Sequence, residues 1–129
     1  MDLLLSTLDL REVVAPTPVA PLPGHPRGIQ GVVFYQGEFL PVLAWEELPG
    51  GRRPSCEPVA MAVLRRRLGL PIERLIGTID PPLEAWREVE EPDAMGAWLG
   101  RVCRFGDLEL RAVDPDRLVA LLRRFREER

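Results

Sequence analysis

Apolar positions recur along most of this chain at the short period of half-buried strands, and the rhythm becomes helical only at the C-terminal end. Ile29 to Tyr35 is rich in β-branched and aromatic residues, Gln36-Gly37 supplies a turn, and Phe39 to Trp45 resumes the apolar pattern, which predicts a β-hairpin. Val59 to Leu64 is short and continuously apolar, as a buried strand is, and Arg65, Arg66 and Arg67 form the solvated turn after it. Leu68 to Leu70 and Ile72 to Ile79 continue as extended structure, with Gly69 and Gly77 marking bends or bulges. Ala97 to Phe105, the turn Gly106-Asp107 and Leu108 to Val113 predict a second hairpin. Asp114 then stands before Pro115 as an N-cap stands before a proline at the first helical position, where a missing N–H costs nothing. Leu118, Leu121, Leu122 and Phe125 fall on one stripe, so a C-terminal helix is expected to lie on the strands.

Three stretches interrupt these elements. Pro16 to Pro26 holds five prolines, which fix φ and remove backbone donors, so it is an extended connector. Pro49 to Pro58 has two glycines and three prolines and no apolar period, as a surface loop does. Pro81 to Gly96 is acidic and punctuated by proline, an excursion with at most one helical turn around Leu83 to Trp86. The 129 residues suit a single domain spanning 1–129, mostly β.

Composition narrows the function by exclusion. A net charge of −3, with both signs dispersed, gives no basic footprint for nucleic acid. Cys56 and Cys103 have no metal-site or redox spacing and read as free thiols of a reducing compartment. The start, Met1-Asp2-Leu3-Leu4-Leu5, lacks a basic region and its apolar run is short, so no direct membrane insertion and a cytoplasmic location are expected. The one histidine, His25, sits between Gly24 and Pro26 with no carboxylate or nucleophile in view. Glu46-Glu47 and Glu90-Glu91 are neighbours that point opposite ways in extended chain, and Gly50-Gly51 leads into arginines rather than a phosphate-binding helix. No catalytic residue, metal or cofactor is expected.

The order of the motifs carries a resemblance. Arg11-Glu12-Val13-Val14, then Pro21-Leu22-Pro23-Gly24-His25-Pro26, then Ile29 through Val42 is similar to the CheW-like family, in which a "PGxP" turn leads into a "GV-x-x-x-RG-x-x-(I/L)PV" hairpin. Leu68 to Ile79 resembles the family's "GL-x-VD-x-V-x-x-V" block, and Leu108 to Asp114 its closing strand before a helix. The resemblance implies a mainly β fold of two small, five-stranded, SH3-like barrels sharing a core, with a C-terminal α-helix. It also implies an adaptor that bridges a CheA-like histidine kinase, through the kinase's regulatory domain, and the signalling tip of chemoreceptors. Partner-binding residues carried over by position are Leu10, Glu12, Gly31, Gln36 and Gly37.

Departures from the family pattern qualify the partners. Gln36 stands where the family carries arginine, Ala44-Trp45 where it carries aspartate in "PVxDL", and Glu73 where it carries another aspartate. Receptor coupling is therefore expected to be weakened. The family has a further strand ahead of the segment equivalent to Leu3 to Leu8, so an unpaired edge and self-association there are expected. The alternatives are a CheW-like module recruited to another pathway, or an unrecognised enzyme.

Overall fold

A computed structural model describes residues 2–128. Nine strands and one helix follow in chain order: β1 Asp2–Leu4, β2 Leu10–Val14, β3 Ile29–Tyr35, β4 Glu38–Leu43, β5 Ala60–Leu64, β6 Leu68–Ile72, β7 Trp86–Arg87, β8 Leu99–Phe105, β9 Leu108–Val113 and α1 Pro115–Glu127. They form a five-stranded sheet in the order β2-β5-β6-β4-β3 and a four-stranded sheet in the order β1-β9-β8-β7.

Turn chemistry sets the hairpins. Tyr35 pairs with Glu38, leaving Gln36 and Gly37 as a two-residue loop, and both have positive φ (47° and 81°), as a type I′ turn demands. Gly106 takes positive φ (61°) in the two-residue loop between Phe105 and Leu108. The three arginines 65–67 join Leu64 to Leu68, and Arg67 closes the loop in the left-handed region with φ 59°.

One apolar core joins the two sheets and the helix. Leu43, Leu64 and Leu70 from the larger sheet meet Leu99 and Val113 from the smaller one, and Leu118, Leu121 and Phe125 of α1 cover them. Two tryptophans span the junction with ring centroids 5.8 Å apart: Trp45 after β4 donates to the carbonyl of Pro71, and Trp98 before β8 donates to that of Pro49, both at 2.8 Å. A second cluster, Val33, Leu40, Val42, Met61 and Val63, lies within the larger sheet. The α1 cap matches expectation: Asp114 Oδ1 accepts from the amides of Asp116 (3.1 Å) and Arg117 (3.2 Å).

Two expectations need correction. The smaller sheet has four strands where five were expected, and neither sheet is closed into a barrel by a backbone ladder among the described residues. Extended structure was also expected to continue through Ile79, yet β6 ends at Ile72 and no strand covers Glu73 to Ile79. Apolar residues there, Leu75 and Ile76, stay exposed because no neighbouring strand offers them a face. The excursion from Pro81 to Gly96 carries a 3-10 turn at Leu83–Ala85 and the short β7.

Candidate interaction surface

The free ends of β2 and of the β3–β4 hairpin meet, although the two strands are opposite edges of one sheet. Leu10 and Glu12 pair with the consecutive residues Leu64 and Val63, so Arg11 is the extra residue of a β-bulge. In regular strand Arg11 and Glu12 would face opposite ways; the bulge turns both toward the hairpin tip. Arg11 Nη2 donates to Gln36 Oε1 at 2.7 Å, Gln36 Nε2 donates to Glu12 Oε1 at 3.4 Å, and the Tyr35 hydroxyl donates to the same Glu12 oxygen. The Arg11 guanidinium also stands 5.6 Å from the Tyr35 ring centroid. The edges of the curled sheet are thus tied by side chains instead of backbone.

The hydrogen bond to Glu12 pushes the Tyr35 hydroxyl above its ordinary range, with desolvation and the Glu12 charge acting the same way and Arg11 opposing them. Phe34 and Phe39 form a cross-strand pair on the outer face, 67% and 74% exposed, with centroids 5.7 Å apart in an edge-to-face arrangement. Alternation places them there: Val33 and Leu40, their neighbours, point into the core. An exposed aromatic pair above a network of charged and amide groups has the composition of a protein contact, with apolar anchors and polar directional partners.

Of the residues expected to bind partners, Glu12, Gln36 and Gly37 come together at this tip. Gly31 and Leu10 do not. Gly31 lies four residues before Tyr35, roughly 13 Å along β3, and Leu10 is half-buried against the main core. Arg11, Phe34, Tyr35 and Phe39 complete the surface and were not singled out. The signal for the phenylalanines was available, since both flank the Gln36-Gly37 turn at equal distance and so must pair across it.

No three His, Cys, Asp or Glu among the described residues are grouped to hold a metal. No helix among them is long and apolar enough to cross a membrane. The family model of the CheW-like domain matches residues 1–122. The chain belongs to the CheW-like family. At the level of that family it is a scaffold or adaptor of chemotaxis signalling, built for protein–protein interaction. The CheW-like fold is seen again in the crystal structure of the scaffolding protein TtCheW from Thermoanaerobacter tengcongensis, with a TM-score of 0.73 and 18% identity. That likeness covers 85% of this CheW-like chain and 79% of the other. None of the curated proteins matches.

Proposed function

We propose that this CheW-like protein is a non-enzymatic, cytoplasmic adaptor that couples a CheA-like histidine kinase to chemoreceptors. The observation that carries the reading is the family match over residues 1–122 together with the exposed Phe34–Phe39 pair beside the Glu12–Gln36 network. The aromatic pair serves the kinase's regulatory domain, where burying two rings supplies the apolar anchor. The polar tip, Glu12, Gln36 and Gly37, serves the receptor, and a neutral amide in place of arginine weakens that contact. Leu10 and Gly31 act from beneath by fixing the backbone. Calorimetric titration with the CheA-like regulatory domain tests this. Saturable binding is expected, and Phe34→Ser with Phe39→Ser should weaken it by about 2 kcal/mol, roughly 30-fold. Absence of binding at high micromolar concentration refutes it.

The outer edge of β1 supports self-association as a second property. Among the described residues β1 pairs only with β9, so its other side offers N–H and C=O groups outside any ladder there, and Leu3 beside them is 37% exposed. Light scattering across a concentration series should show a dimer, and a strict monomer at high concentration would end that part of the reading.

A further inference from the structure

A cleft of about 700 Å³ lies away from the hairpin surface, between residues 88–96 and the junction of β8, β9 and α1. Three arginines reach it. Arg111 on β9 is 4% exposed; its Nε donates to the Gly100 carbonyl (3.3 Å) and its Nη1 to Asp93 Oδ2 (2.6 Å). Its Nη2 makes no hydrogen bond among the described residues, and since no side-chain nitrogen or oxygen there is both sealed and unsatisfied, Nη2 keeps some exposure on a residue that lines the cleft. Arg117 from the first turn of α1 spends Nη1 on the carbonyls of Leu99 (2.7 Å) and Gly96 (3.3 Å) and Nε on Asp114 (3.3 Å). Arg101 has no carboxylate partner among the described residues and is held over the Trp86 ring at 5.1 Å. The bulge at Leu99–Val102, where register slips against β9, turns Arg101 toward the cleft.

The carboxylates of the lining are largely committed. Asp93 bonds Arg111 and the amide of Gly96, and Asp114 caps α1. Glu88 alone is without an ion pair among the described residues. A guanidinium so deeply buried, with one fork position open to a cleft, is matched by a planar two-oxygen acceptor. Glu88, the unpaired carboxylate of the lining, disfavours a ligand carrying several negative charges. The volume falls within the range of small-molecule sites.

We propose that this cleft binds a small monocarboxylate, one oxygen taken by Arg111 Nη2 and the other by Arg101. The site is independent of the hairpin surface, shares no residue with it, and stands or falls apart from the adaptor reading. The test is a titration of the full chain with sodium propionate against sodium chloride at constant ionic strength, followed by nitrogen–proton correlation spectra that include the arginine Nε–H groups. Saturable shifts at Arg111 Nε–H and the Gly100 amide are expected with propionate alone. Arg101→Gln, at an exposed position, should keep the fold and lower affinity about fivefold or more. A glutamate-rich peptide should bind more weakly than propionate. Arg111→Met should abolish saturation where its spectrum shows a folded protein, and should that variant unfold, Arg101→Gln decides alone. Shifts that grow linearly, match those with chloride, or persist with equal affinity in Arg101→Gln overturn the proposal, as does tighter binding of the polyacidic peptide.

Discussion

Gly31→Ala separates a residue that touches a partner from one that lets two backbones meet. The isolated bridge between the proline-rich connector and β3 consists of two hydrogen bonds, Ala20 N–H to the Val32 carbonyl (2.9 Å) and Val32 N–H to the Ala20 carbonyl (2.8 Å). A Cβ on Gly31 would overlap the Ala20 carbonyl oxygen and stand 2.8 Å from Val19 Cγ1 and 2.9 Å from the Ala20 carbonyl carbon, and backbone cannot yield as a flexible side chain can. Moving the connector breaks both bonds, about 1 kcal/mol each. It also lifts Val19 from the apolar cluster around Val33, roughly another 1 kcal/mol. Gly31 is not in the left-handed region, so alanine's smaller unfolded-state entropy returns about 0.5 to 1 kcal/mol. The expected net loss is about 2 kcal/mol. Urea unfolding measures it, and amide exchange at Ala20 and Val32 locates it. A variant within about 0.5 kcal/mol of the parent with both amides still protected would refute the close-approach account, and lost partner binding in such a variant would make Gly31 a contact residue.

Tyr35 is the one tyrosine of the chain, so absorbance near 295 nm follows its ionisation alone, and Glu12→Gln should move that titration down toward the ordinary tyrosine value. Because the folded value is raised, this contact stabilises the protein fully below the unfolded pKa of tyrosine and loses its effect as pH rises through the folded one; an unchanged titration in Glu12→Gln would remove Glu12 as the cause. Gln36→Arg, the change that restores the family residue, should tighten binding to a receptor tip by only about two- to threefold, because the Arg11 guanidinium, which bonds position 36, repels a second positive charge there. Gln36→Arg with Arg11→Gln should bind more tightly by about 1 kcal/mol, and a titration showing equal affinity for the double variant would count against the tip as the receptor contact.

Local chemistry accounts for what was legible beforehand. The Gln36-Gly37 turn, the arginine turn and the Asp114-Pro115 helix start each depend on residues next to one another in the chain, and each is found where expected. The misses depend on distant neighbours. Glu73 to Ile79 has the residues of a strand but no strand beside it, and pairing is a property of two segments, not one. The burial of Arg111 was not singled out, yet the residue shares a strand face with Val113, which lies in the core, and that spacing of two was the available clue. At the hairpin tip the family pattern pointed to Glu12 and Gln36, whereas the β-bulge at Arg11, which makes them adjacent, arises from register with β5 and leaves no trace in composition.

The contact between Trp45 and Trp98 has an optical consequence. One indole is anchored to the larger sheet and the other to the loop after β4 while leading into the smaller sheet, so their mutual angle of 47° records how the two halves are set against each other. Rings this close couple their electronic transitions, and the near-ultraviolet circular dichroism of the pair will change when that angle does. A partner that docks without bending the molecule leaves the band intact, and one that transmits its state by tilting sheet against sheet alters it. The protein thereby carries its own goniometer, readable without a label.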